Sequence, residues 1–433
     1  MSTKIKKVYA REILDSRGEP TIETKIVLEN GISAIASVPS GASAGKAEAW
    51  ELRDKDPKRY LGKGVLEACE NVNAKIFSDL KGLEAEKQRE ADERMIALDG
   101  TENKSALGAN AILSVSLACG RAAAIAQNLE LWQWIRQLIG KKNLGPAGRG
   151  KIKPISADLP MPCFNVINGG KHADTRLSFQ EFWAIPAGAL SFREAVRAGS
   201  EVFHNLQELC KEKGYNTNVG DEGGLAPNLD SNDQAIELLQ EAILRAGFKL
   251  PDDFTLGLDV AASSFFENGN YIFKNEGLSL SGEQMVSLYA EWAEKYPLAI
   301  IEDGLAEEDW PSWVALTARL GDKIQIVGDD LLVTNVKRLE QAIAEKAANS
   351  ILIKLNQIGT LSETLDCLKL AFQNNFGTII SHRSGETGDA FIADLAVGTA
   401  AGQIKTGSLC RGERIAKYNR LMEIEEQIVE MKN

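Results

Sequence analysis

Between Phe254 and Lys405 the chain repeats one pattern, a short apolar run that stops abruptly at a charged or polar residue. In order, the runs are FTLGLD ending at Asp259, LAIIED with Glu302, IQIVGD at Asp329, ILIK at Lys354, TIISH at His382 and QIK at Lys405. After a wider first gap, successive runs are separated by about one βα unit. Continuous Ile, Leu and Val runs read as strands buried on both faces, and helix-length spacers force parallel pairing. Six such strands predict a βα barrel, whose C-terminal strand ends open onto one face where active sites sit. Three carboxylates, two lysines and a histidine then converge. Three facing carboxylates repel unless a cation sits among them, and an all-oxygen set favours a hard ion such as Mg²⁺. The competing reading, in which each acid only caps the next helix, suits one strand better than six in register.

The chain has 433 residues, 44% of them hydrophobic, enough for two or three domains. Its formal charge of −12 argues against nucleic acid, which needs clustered Lys and Arg. Cys69, Cys119, Cys163, Cys210, Cys367 and Cys410 show no CxxC spacing and read as free thiols, the pattern of a cytoplasmic protein. The start, MSTKIKKVYARE, lacks the apolar core of a signal peptide. The stretch 106–127 is apolar but carries Asn110 and Arg121, so it reads as a buried helix and no membrane span is expected.

Thr21–Leu28 alternates like a strand between turn signals, and Ile32–Val38 adds a third strand. Helical stretches follow at 64–80, 85–98 and 107–127, so this first domain is α+β. Residues 140–154, rich in Gly, Pro and Lys, read as a linker. Beyond it, MPCFNVI and SFQEFWAI have no helix between them and predict a hairpin, with one strand antiparallel. Helices are expected at 192–213 and 232–246, giving the order ββαα followed by βα repeats. The expected division is 1–139 for a capping α+β domain and 140–433 for the barrel.

Three loops could carry chemistry. PSGASAGKAE, from Pro39, contains G-x-x-x-G-K but is one residue short of a P-loop, with Ala47 where Ser or Thr should bind magnesium, so it is not read as an NTPase. Its small residues suit a lid over Ser40–Gly45 whose backbone approaches a ligand; a plain turn is the alternative. NGGKHAD places His172 in a glycine turn, with Glu181 on the next strand, while His204 lies mid-helix and reads as structural. VGDEGG brackets Glu222 with glycines, which fits catalysis or turn chemistry about equally.

The strings AREILDSRG, SGASAGK, LDGTENKSALGANAILSVSLA, NGGKHAD, VGDEGG, LDVAASSFF, IEDGLAEEDW, IQIVGDDLLVTN, KLNQIGT, SHRSGET and GQIKTG together resemble the enolase family over essentially the whole chain. The resemblance implies an α+β domain followed by a ββαα(βα)₆ barrel, and a cytoplasmic, homodimeric or octameric Mg²⁺-dependent hydro-lyase of glycolysis and gluconeogenesis. Such an enzyme interconverts 2-phospho-D-glycerate and phosphoenolpyruvate. It further implies that Asp259, Glu302 and Asp329 hold one Mg²⁺, and that Ser43 with the substrate phosphate holds a second. Lys354 matches the base and Glu222 the acid; His172, Glu181, His382, Arg383, Ser384 and Lys405 match substrate-contacting positions. Neighbouring cations and burial are expected to favour neutral Lys354, and repulsion between Glu181 and Glu222 to favour a proton on one of them. Ala44, Thr175, Arg176, Ser264 and Gly412 depart from the family pattern. An acid-sugar dehydratase of the same superfamily, or a catalytically silent homologue, remain the alternatives.

Overall fold

The computed structural model describes residues 2–41, 45, 47–144 and 152–432. The chain opens with an antiparallel sheet of β1 (Ile5–Leu14), β2 (Pro20–Leu28) and β3 (Ser33–Ser37) in that order. β1 hydrogen-bonds along its whole length to β2, although its own apolar alternation is too interrupted to have set its limits in sequence. Helical segments follow over Leu66–Leu80, Gln88–Asp99 and Ala109–Ala126, close to the expected spans. A further helix, Leu131–Ile139, precedes the expected linker, whose residues 145–151 lie outside the described set.

The helix Ala109–Ala126 has a mean hydropathy of 1.4 and is long enough to cross a membrane, but 83% of it is buried within the protein. It is apolar almost all round because it is covered on two sides. Ser114 meets Thr24 of the sheet at 2.6 Å, and Ser116 accepts the backbone N–H of Leu361 from a barrel helix at 3.0 Å. Asn110 is satisfied by both backbone groups of Leu52. Arg121 reaches Asp389 at the edge of the barrel.

The second unit is a closed eight-stranded barrel. Its strands are β4 (Met161–Asn168), β5 (Glu181–Ile185), β6 (Thr255–Asp259), β10 (Leu298–Glu302), β11 (Gln325–Gly328), β12 (Ser350–Ile353), β13 (Gly377–Ser381) and β14 (Gln403–Lys405). Between β6 and β10 lies a small sheet of β7 (Phe266–Glu267), β8 (Asn270–Phe273) and β9 (Leu278–Leu280), which accounts for the wide first gap. β5 runs antiparallel to both β4 and β6, and every other neighbouring pair is parallel. With helices at Phe192–Glu212 and Asn232–Arg245, the order is ββαα(βα)₆, as expected.

The barrel is filled rather than open. Met161, Cys163, Trp183, Ile300, Val327 and Leu352 form its apolar plug, while Gln325 and Gln403 exchange amide hydrogen bonds of 2.8 and 3.0 Å inside it. Above the plug, register decides which side chains share a level: Asp259 pairs with both Glu302 and Glu181, and Lys405 with Ser381. One face of the barrel therefore gathers the polar strand ends over an apolar floor. The first domain caps this face, with Ser40 bridged to Gly385 and Ser16 accepting from Arg411 and donating to Glu386.

Candidate active site

The strand ends surround a cavity of about 230 Å³. At its floor, Lys405 Nζ lies 2.9 Å from Asp259 Oδ2, 2.7 Å from Glu302 Oε1 and 3.1 Å from Glu181 Oε1. Burial's tendency to discharge this ammonium is overridden by Asp259, Glu181 and Glu302, which raise its pKa well above normal. Glu302 Oε2 remains a buried acceptor without a hydrogen-bond partner. Burial and the adjacent Asp259 push Glu302 well above the usual carboxylate range. That unused oxygen suits a hard cation, although among the described residues Asp259, Glu302 and Asp329 do not close into one compact ligand group.

Asp329 follows β11 and is shared between Lys354, which pairs with Oδ2, and Gln357, which donates to Oδ1 at 2.8 Å. This corrects the expectation for Lys354. Burial, Arg383 and Lys405 do push its pKa down, but the Asp329 carboxylate in direct contact raises it, opposite to the direction expected. Arg383 donates to Glu48 at 3.0 Å, and Glu48 also accepts the Gly45 N–H at 3.2 Å, joining the end of the glycine-rich loop to the barrel. A second acidic group, Asp303 with Asp329 and Asp330, is compact enough to hold a cation. Asp303 accepts the backbone N–H groups of Asp329 and Asp330 at 2.8 and 2.9 Å. Burial and then Asp329 push Asp330 up to about 7.

Glu222 accepts from Asn165 at 2.9 Å and faces His382 Nε2 at 3.0 Å. His172 Nδ1 stands 3.4 Å from Glu181 and 3.7 Å from Glu222. The two carboxyls are driven apart, but the direction favours the proton on Glu181, not on Glu222, the residue expected to donate one. Burial and repulsion from Glu222 raise Glu181 well above its usual value. Burial also pushes Glu222 up, but His382, His172 and Arg414 outweigh it and hold Glu222 well below the usual range. Burial lowers both histidines, His382 to about 3.

His172, Glu181, Glu222, Asp259, Asp329, Lys354, His382, Arg383, Ser384 and Lys405 all line the one cavity, and Glu302 reaches it through Lys405. Ser43 and Ala44 lie outside the described residues. Of the remaining departures, Ser264 lines the cavity, Arg176 pairs with Asp230 on the surface, and Gly412 begins the helix Gly412–Lys432. Sequence reasoning missed Asn165, Gln357, Asp303, Asp330 and Arg414. The doublets Glu302-Asp303 and Asp329-Asp330 carried a signal for two of them; Asn165 and Arg414 sit in ordinary strand and helix patterns that carried none.

A capped eight-stranded barrel, with lysines, carboxylates and histidines gathered at its C-terminal rim, has the architecture of a barrel enzyme acting on a small molecule. Residues 5–135 match the model of the enolase N-terminal domain, and residues 156–433 that of the enolase C-terminal TIM barrel domain. The chain belongs to the enolase family.

Proposed function

We propose that this chain reversibly removes water from 2-phospho-D-glycerate to give phosphoenolpyruvate. The observation that carries the reading is that Lys354 and Glu222 line one cavity, Lys354 against Asp329 and Glu222 against His382, each among different neighbours. Lys354 would take the C2 proton and Glu222 would protonate the departing C3 hydroxyl, for which Glu222, held ionised by its neighbours here, must first gain the proton that Glu181 favours. Asp259, Glu302 and Asp329 would hold one Mg²⁺, and Ser43 with the substrate phosphate a second, supplying Lewis-acid stabilisation of the charge that develops on the substrate carboxylate. As a base Lys354 must be neutral, so the charge of Asp329 has to be engaged elsewhere during turnover. Lys405 adds a fixed positive charge beside the same carboxylate. Arg383, Ser384, His172 and His382 would contact the substrate, and Glu181 would share the proton balance of Glu222.

Ultraviolet detection of phosphoenolpyruvate formed from 2-phosphoglycerate, with and without EDTA, tests this reading. Absorbance growth abolished by EDTA is expected; no product, or turnover of an unphosphorylated sugar acid instead, would overturn it. We also propose a cytoplasmic homo-oligomer, a dimer or an octamer. Sedimentation at micromolar concentration tests that assignment, and a monomer would refute it.

A further inference from the structure

The helix Gly412–Lys432 sends one fully buried side chain from its first turn beneath the cavity. Arg414 is 0% exposed. Its Nη1 lies 2.5 Å from His382 Nδ1 and donates to the backbone oxygen of Arg383 at 2.7 Å. Its Nη2 donates to the oxygens of Ser384 at 2.7 Å and Asp221 at 3.0 Å. One guanidinium therefore joins the loop after β13 to the glycine loop that carries Glu222. The helix is itself held against these loops, by Tyr418 Oη donating to Gly407 O at 2.6 Å and by Lys417 pairing with Glu386 at 2.9 Å.

Arginine has only donors. Facing one, His382 Nδ1 must present its lone pair, which places the proton of the neutral ring on Nε2. That nitrogen lies 3.0 Å from Glu222 Oε2, close enough to pair although its N–H is not directed into a hydrogen bond here. We propose that Arg414 is a positioning residue that fixes His382 as its Nε2–H tautomer and so keeps a protonated nitrogen, not a lone pair, beside the Glu222 carboxylate. The inference rests on the reading of Glu222 as the acid. In that step the C3–O bond breaks with its electron pair leaving on oxygen, and the oxygen takes the Glu222 proton to depart as water. The pair left by removal of the C2 proton closes the C2–C3 double bond. Glu222 ends as a carboxylate, which an Nε2–H stabilises. The other tautomer would turn a lone pair toward that carboxylate and oppose the transfer.

The chain has only three histidines, so selective ¹⁵N-histidine labelling resolves the tautomer directly. In the wild type His382 should show an unprotonated Nδ1 and a protonated Nε2 at neutral pH. Arg414→Met should give a mixed or reversed tautomer, and Arg414→Lys, which keeps a donor-only cation, should retain more of the wild-type tautomer than Arg414→Met. Dehydration of 2-phosphoglycerate by Arg414→Met should fall ~10–100-fold, the range for partners that orient a histidine. Exchange of the C2 proton into deuterated water, which needs the base but not the acid, should stay within about threefold of wild type. A wild-type His382 protonated on Nδ1 or on both nitrogens overturns the proposal, and that spectrum needs no variant to fold. So does an unchanged tautomer in Arg414→Met, or C2 exchange falling as far as dehydration. A wild type with the expected tautomer but no dehydration of 2-phosphoglycerate would uphold the positioning and refute the reaction.

Discussion

Asp389→Asn should loosen the cap from the barrel, and the structure sets the size of the effect. Asp389 takes both guanidinium nitrogens of Arg121 at 2.6 and 2.7 Å, and also accepts the backbone N–H groups of Ser37 and Phe391 at 3.0 and 2.8 Å. Removing one partner of a fully buried ion pair costs ~3–5 kcal/mol. Arg121 is 24% exposed here against 6% for Asp389, so water can recover part of its charge, and ~2–3 kcal/mol is expected. Unfolding entropy of ~2.1 cal/mol/K per residue over 433 residues gives ~0.9 kcal/mol/K, hence a fall of ~2–3 °C in Tm. Burial raises the Asp389 carboxyl, but Arg121 and the backbone donors outweigh it and hold its pKa below normal. A lowered folded-state pKa contributes stability above the unfolded value of ~3.9 and loses it as pH falls through the folded value. The gap between wild type and Asp389→Asn in scanning calorimetry should therefore be constant from pH 6 to 8 and close below about pH 4. A gap under about 0.5 °C at neutral pH, or one that persists unchanged into acid, would show that this pair does not hold the cap.

The other expectations concern the cavity and the barrel floor. Lys354→Ala should lose both dehydration and C2 exchange by ~10²–10⁴-fold, whereas Glu222→Gln should lose dehydration and keep measurable exchange. The NMR signal of 2-phosphoglycerate in deuterated water reports both, and wild-type exchange in Lys354→Ala would put the base elsewhere. Asp329→Asn should weaken Mg²⁺ binding in calorimetric titration, since an amide lacks the carboxylate's charge; unchanged affinity would remove Asp329 from the site. Gln403→Leu should cost ~1–3 kcal/mol by stranding the amide of Gln325, and Gln325→Leu in the same chain should recover much of it. Equal losses in the single and double variants would contradict that pairing.

What could be read beforehand follows from range. The strand ends were legible because a strand buried on both faces is an unbroken apolar run, so its polar terminus stands out: Asp259, Glu302, Asp329, Lys354, His382 and Lys405 all sit at or just beyond strand termini on the cavity side. The antiparallel β5 was legible for a similar reason, since no helix fits between it and β4. β1 was not bounded, because its exposed face carries Lys6, Lys7, Tyr9 and Arg11 and its order comes from pairing with β2 rather than from its own pattern. Arg414 was invisible because an arginine in a helix's first turn reads as solvated, and only the two loops folded over it bury the charge.

Local reasoning also misjudged Lys354 in an instructive way. Counting nearby cations and burial predicts a neutral amine, and both influences are present, but the carboxylate in direct contact raises the pKa instead. The same rule recurs around the cavity: Lys405 among Asp259, Glu302 and Glu181, Arg383 against Glu48, and His382 against Glu222 each set one cationic or donor group on one or more anions. Charges this buried are costly alone and tolerable only when matched, so each group's protonation is decided by its contact partner before the wider field acts. Chemistry at such a site consists of exchanging partners. A ligand's anionic group can engage Lys405 only by taking over part of what Asp259, Glu302 or Glu181 now supplies, because those three acids face its three donors.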